Sequence, residues 1–191
     1  ANFVQALNCR ALALYGLKQY QQAINDYDQI IEIKTDFYQA YNNKGEALLK
    51  LQQPEKALVS FDQAILYNPD YVIAWTGRGD ALFQLKRYPE AIPTYSKAIE
   101  LSPKYSYAWN GRGNAYRISG QFANAVSDYK MAIETDPESD FYEAYYNLAL
   151  AYIGLKQCQQ AVSALDQAIK IRPDYRAAIQ RREELLNQGC R

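Results

Sequence analysis

Bulky and tiny side chains take turns along this chain at helical spacing, and the whole pattern recurs every 34 residues. Sliding the sequence by that period lays Trp75-Thr-Gly-Arg-Gly on Trp109-Asn-Gly-Arg-Gly and aligns most of the rest. Units begin at Val4, Tyr38, Val72 and Ser106, and a fifth begins at Tyr142 after a two-residue insertion at Asp140 and Phe141. In every unit the fourth place is large (Leu7, Tyr41, Trp75, Trp109, Tyr145), as is the eleventh (Leu14, Leu48, Leu82, Tyr116, Tyr152). Between them the eighth is small: Ala11, Gly45, Gly79, Gly113 and Ala149. These places lie at i, i+4 and i+7, one face of a helix, and the small place predicts a close approach by a second one. That second series follows a turn and inverts the order, with Ala23, Ala57, Ala91, Ala125 and Ala161 first. Tyr27, Phe61, Tyr95, Tyr129 and Leu165 come next, then Ile30, Ala64, Ala98, Ala132 and Ala168. Each unit is therefore predicted to be a helical hairpin with alanines at the crossing.

The punctuation agrees. Pro69, Pro103, Pro137 and Pro173 recur at place 32, where a residue without an N–H ends the second helix; the first unit carries Thr35 there. One hairpin cannot cover its own apolar face, so the units are expected to stack into one all-α solenoid domain over 1–191. Its repeats run 4–37, 38–71, 72–105, 106–139 and 142–175. From Arg176 a further first-type helix begins, with Ile179 and Leu186 at the large places but Glu183 at the small one. A carboxylate there cannot accept a packed partner, so 176–188 is read as a capping helix with Arg181, Arg182 and Glu184 facing water. Ala1-Asn2-Phe3 falls on places 32 to 34, as if another unit preceded Val4, and a longer parent chain is expected.

With its columns of aromatic, leucine or tyrosine, glycine or alanine, then alanine, aromatic, alanine and proline, the segment from Val4 to Tyr175 resembles the tetratricopeptide repeat family in a bacterial-type array. The resemblance implies a right-handed superhelical solenoid. One departure is systematic: place 7, usually leucine, holds Arg10, Lys44, Arg78 and Arg112, with only Leu148 conforming. The expectation is that the stems lie on apolar surface while the charges reach solvent or a carboxylate; a functional basic ladder is the alternative. Pro93 is a second departure, expected on the outer face of its helix with a slight bend.

Composition then restricts the chemistry. Hydrophobic residues make up 49%, too many for disorder, while 9 Gly and 7 Pro are too few for a many-stranded β protein. Lys plus Arg equals Asp plus Glu at 21 each, so no global field favours nucleic acid or an anionic membrane, and no apolar run is long enough to span a bilayer. There is no histidine, which removes the commonest general base and metal ligand together, and no enzyme, metal or cofactor is expected. The Gly-Arg-Gly runs at 77–79 and 111–113 lack the third glycine of a dinucleotide fingerprint and are read as packing glycines. Cys9, Cys158 and Cys190 are odd in number and far apart. They predict no disulfide framework and, by default, a reducing, cytoplasmic setting.

What remains is a binding surface. In a stack of hairpins the first helices line the concave side, and place 5 of each gives Asn8, Asn42, Thr76, Asn110 and Tyr146. Such amides can pair with the backbone of an extended peptide without demanding one side chain. Place 9 adds Glu46, Asp80 and Asn114, and the Glu46 and Asp80 carboxylates are read as solvated or ligand-contacting rather than as an acid–base pair. Asn43, Lys50, Phe83, Tyr107, Arg117, Tyr146, Asn147 and Arg181 complete the predicted peptide-binding groove. Some members of the family grip the carboxylate end of chaperones through a lysine, two asparagines, a second lysine and an arginine. Here Asn114, Asn147 and Arg181 match, but Asn110 and Ala177 hold the lysine places, which implies a weakened clamp. The expected function is a scaffold for a protein or peptide partner, with self-association through the solenoid ends as an alternative.

Overall fold

The computed structural model describes residues 2–136 and 142–190; the inserted Asp140 and Phe141, and Pro137, lie outside them. Among the described residues there are five helical hairpins and a last helix. The hairpins are α1 (Asn2–Gly16) with α2 (Tyr20–Ile33), α3 (Tyr38–Lys50) with α4 (Pro54–Tyr67), and α5 (Val72–Gln84) with α6 (Tyr88–Leu101). They continue with α7 (Ser106–Ile118) and α8 (Phe122–Thr135), α9 (Tyr142–Gly154) and α10 (Cys158–Ile171), and end with α11 (Arg176–Asn187). The chain falls into two compact units, 1–101 and 102–191. In the first, each of α1 to α6 packs on the next and α3 also touches α5; in the second, α7 to α11 do the same and α7 touches α9.

The core of each hairpin is the aromatic column of the second helix. Tyr27, Phe61, Tyr95, Tyr129 and Leu165 are all 0–1% exposed, and burying such a side chain stabilises by roughly 1.5–3 kcal/mol. The small place of the first helix exists for these rings. A Cβ added to Gly79 would lie 2.5 Å from Tyr95 Cε1, and one added to Gly113 would lie 2.9 Å from Tyr129 Cε1. What comes close is thus a ring plane from the second helix rather than its backbone. Phe61 is held twice, against Gly45 of its own hairpin and Gly77 of the next.

A second column went unread in the sequence. Ala40, Ala74, Ala108 and Ala144 at place 3, and Ala47, Ala81, Ala115 and Ala151 at place 10, are fully buried. Within the units, Ala40 joins the cluster of Tyr27 and Ile30 from the preceding hairpin, and Ala151 that of Tyr129. Their counterparts in α1, Ala6 and Ala13, are exposed. In α11 the same two places, Ala178 and Leu185, carry the burial, with Ile179 and Leu186 only half-buried. Inside each unit, a first helix that follows another hairpin therefore buries two faces, one on its own partner and one on the hairpin before it.

The turn after each first helix is also repeated. Lys18, Gln52, Lys86, Gly120 and Lys156, all at place 15, adopt the left-handed conformation, the non-glycines with φ of 57 to 61°. The following amide returns to the helix, as Arg87 N donates to Leu82 O at 2.9 Å. Pro93 sits exposed inside α6, which continues through it.

The cysteine reading is corrected. Cys158, which opens α10, is bonded to Cys190, with their Cα atoms 5.6 Å apart. After α11 the left-handed Gly189 turns the chain so that Cys190 meets the start of α10. A separation of 32 residues carries no sequence signature for that meeting. With the pair formed, Cys9 alone is free, and the cysteines no longer argue for a reducing setting.

Candidate functional site

The place-7 cations resolve into ion pairs. Arg10 grips Asp26 through two bonds of 2.6 and 2.7 Å, and Arg112 grips Asp128 through 2.7 and 2.8 Å. Lys44 reaches back to Asp28 at 2.5 Å, Arg78 to Asp62 at 2.7 Å, and Arg182 of α11 to Asp166. Arg78 also donates to the Thr94 hydroxyl at 2.9 Å. The carboxylates occupy two places only: 23 of the same hairpin or 25 of the one before. In the fifth hairpin, where place 7 is Leu148, these places hold Ala164 and Lys130. Cation and carboxylate therefore appear and disappear together, and these charges are structural contacts between helices. Arg112 is further sandwiched over Trp109 and Tyr116, at 4.9 and 5.7 Å from the ring centres.

The predicted groove residues divide. Asn42 (1% exposed) and Thr76 (6%) are buried, so they do not form part of an open ladder. The reason is the second buried face of the first helices, which place 5 adjoins. The Thr76 hydroxyl donates to Val72 O at 3.1 Å within its own helix. Asn8 and Asn110 are half-buried, with their Oδ1 atoms turned inward and unpaired. Asn43, Glu46, Phe83, Asn114, Arg117, Tyr146, Asn147 and Arg181 are half-exposed, while Lys50, Asp80 and Tyr107 are open to solvent. Phe83 packs edge-on to Tyr88, Tyr146 to Tyr175, and Tyr107 lies 5.6 Å from Tyr105 between ring centres. Arg181 pairs with Glu184 of its own helix at 2.8 Å, so the matching cation of the chaperone clamp is already engaged.

Place 9 has a partner that sequence reading missed. The buried Tyr95 donates its hydroxyl to Asp80 Oδ1 at 2.6 Å, and the buried Tyr129 donates to Asn114 Oδ1 at 2.8 Å while accepting from Arg117 Nε at 3.3 Å. Core tyrosines thus reach through the hairpin and fix polar groups on the first-helix face. The available signal was the choice at place 24. Tyrosine stands with Asp80 and Asn114, Phe61 with Glu46, and Leu165 with Leu150. Tyr27 is the exception: its place-9 residue is Leu12, and its hydroxyl is buried beside Asn43 without a well-formed hydrogen bond.

Electrostatics single out the first unit. Burial raises the Glu46 carboxyl above its ordinary value, opposed by a 3.1 Å hydrogen bond from Asn42 Nδ2 and by Lys50. Asp80 is raised to about 6 by the protein around it, opposed by the Tyr95 hydrogen bond, raised further by Glu46 and lowered by Lys50. Solvent still reaches Asp80 from one side, so screening reduces the energetic weight of that shift. In the second unit, burial raises the Tyr129 hydroxyl to about 12, and no like-charged pair is present at place 9. Among the described residues no helix is long and apolar enough to cross a membrane.

Stacked helical hairpins with aromatic second-helix cores and a polar first-helix face define a class of helical repeat proteins. Tetratricopeptide-repeat models match residues 9–60, 42–106, 106–139 and 142–175, and the chain belongs to the tetratricopeptide repeat family. No curated protein matches it in sequence. Its fold is shared with YrrB, described as a tetratricopeptide protein with an unusual peptide-binding site (23% identity, 93% of this chain and 90% of that one, TM-score 0.72). It is shared too with the thermophilic protein TTC0263 of Thermus thermophilus (19% identity, 96% and 98%, TM-score 0.77). A third is MamA of Desulfovibrio magneticus (16% identity, 92% and 98%, TM-score 0.78).

Proposed function

We propose that this chain is a non-catalytic scaffold whose first-helix faces hold an extended peptide or a segment of a partner protein. The observation that carries this reading is the anchoring of Asp80 and Asn114 by buried tyrosines. Both place-9 groups remain accessible to solvent, yet their orientation is fixed from inside the core. Such preorganisation lowers the entropy lost when a ligand docks. A purely structural role would have buried the polar group together with its tyrosine. Asn43, Asn114 and Asn147 supply paired donors and acceptors for a peptide backbone, and Phe83, Tyr107 and Tyr146 supply rigid aromatic surface. The structure of YrrB, with its peptide-binding site, supports the reading at the level of the fold.

The test is a selection of displayed random peptides on the immobilised chain, followed by hydrogen exchange of the chain with a selected peptide bound. Protection is expected in the first helices of the unit that the peptide occupies, α3 and α5 in the first or α7 and α9 in the second. Protection confined to the second helices would refute the assignment of the face.

A further inference from the structure

The first unit carries two carboxylates that differ from every ion-paired acid described above. Asp26, Asp28, Asp62, Asp128 and Asp166 each hold a cation. Glu46 and Asp80, at the same place of neighbouring first helices, hold none among the described residues. Lys50 attracts both electrostatically, yet it stands beyond salt-bridge distance. Two acids stand side by side here, whereas each place-7 cation is matched to an acid of its own.

A second observation lies beneath them. Asn42 is 1% exposed, and its amide nitrogen is spent on Glu46 Oε1 (3.1 Å) and Asn43 Oδ1 (3.2 Å). Its own Oδ1 is buried with no donor, as is Gln39 Oε1 on the same helix. The Tyr27 hydroxyl, 0% exposed and also unpaired, is directed toward Asn43 and Glu46. Two of these orphans, Asn42 Oδ1 and Gln39 Oε1, can only accept, and the Tyr27 hydroxyl both donates and accepts, so together with the two carboxylates acceptors outnumber donors here. Buried polar groups are rarely left so, because each orphan costs about 1–3 kcal/mol. A metal ion is a poor solution, since no third acidic or other metal-ligating side chain joins the pair among the described residues. A side-chain cation is a good one: an ammonium brings three donors and a guanidinium five, with no acceptor. Tyr15 and Tyr71 lie close enough for their hydroxyls to feel Glu46.

From this arrangement we infer that the Glu46–Asp80 face of the first unit is a subsite for a lysine or arginine side chain of the bound peptide. The inference rests on the peptide-binding reading above. The elevated Asp80 carboxyl agrees with it, because a carboxylate raised by its surroundings and by Glu46 gains most from an incoming cation. The groups facing Asp80 are Tyr95 from α6 and Glu46 and Lys50 from α3. Burial raises Glu46 in the same direction as Asp80. Binding should therefore tighten as pH rises through about 6, the value at which Asp80 loses its proton.

The experiment runs the random-peptide selection in parallel on the wild-type chain and on Glu46→Gln/Asp80→Asn, both checked for helicity by circular dichroism. Wild-type binders should share a Lys or Arg at one position. Replacing that residue with norleucine should weaken binding by about tenfold or more, the factor expected of a lost charge-assisted hydrogen bond. The norleucine peptide should no longer distinguish the two chains. A second variant, Lys50→Met, removes the competing internal cation and should bind the cationic peptide more tightly, a gain that misfolding cannot produce. Enriched peptides that lack a cation and bind both chains equally would overturn the subsite while leaving the peptide-binding face intact. Failure to enrich any peptide would overturn both. Stabilisation of the wild-type chain by calcium alone, without cationic peptides, would replace the subsite with a metal site.

Discussion

Gly77→Ala is a test of ring packing between hairpins. In most exposed helix interiors this change stabilises by about 1 kcal/mol, because alanine is the better helix former. Here the new Cβ would fall 2.5 Å from Phe61 Cζ and closer still to Cε1. Phe61 has no free space to move into, since it is 0% exposed and Gly45 already packs on it, where an added Cβ would meet the ring at 2.8 Å. Overpacking of this kind costs about 2–3 kcal/mol, so the net loss should be about 1–2 kcal/mol, or roughly 3–6 °C in Tm for a chain of this size. The assay is urea unfolding followed by fluorescence of Trp75, two residues from the substitution in α5, with Trp109 reporting on the second unit. In a Phe61→Leu background the clash is relieved, and the same substitution should become neutral or stabilising by up to about 1 kcal/mol. Equal stability of Gly77→Ala and the wild type would refute the ring-on-glycine account, as would an unchanged penalty in the leucine background.

Arg112→Ala should cost about 3 kcal/mol by thermal unfolding, because Asp128 is left 5% exposed without its cation, whereas Arg87→Ala, which breaks an exposed pair with Glu90, should leave Tm unchanged. Reducing Cys158–Cys190 should strip hydrogen-exchange protection from α11 but not from α7. The cross-link closes 32 residues, for which a chain-entropy estimate is about 3–4 kcal/mol; undiminished protection of α11 would contradict this. For pH, Asp80 binds its proton more tightly folded (about 6) than unfolded (3.8), so its contribution is fully present below pH 3.8 and is lost as pH rises through 6. After allowance for screening, the wild type should lose roughly 0.5–1 kcal/mol more than Asp80→Asn between pH 5 and 7, measured by urea midpoints; parallel curves would exclude it.

The hairpins could be read from the sequence because their determinants are local. Large and small places on one helix face, and prolines at place 32, act within a few residues of one another. The face that each first helix turns to the preceding hairpin was harder to see, because alanines at places 3 and 10 look like ordinary helix formers until a neighbour buries them. The same blindness misplaced Asn42 and Thr76, which lie beside that hidden contact. The left-handed turn residue at place 15 escaped because lysine or glutamine usually stands where glycine would have announced it. The link between Tyr95 and Asp80 spans 15 residues and is visible only on comparing repeats, place 24 against place 9. The disulfide depends on the chain doubling back after α11, which no spacing reveals.

The ion pairs at place 7 give this array a syntax. Moved into the fifth slot, the hairpin bearing Lys44 would meet Lys130 instead of Asp28, and the hairpin bearing Leu148, moved into the second, would strand Asp28. Shuffling whole repeats would therefore be penalised wherever a cation that reaches back, such as Lys44 or Arg78, lost its carboxylate, whereas Arg10 and Arg112 would carry their partners with them. This chain's hairpins are modules in shape but not in order.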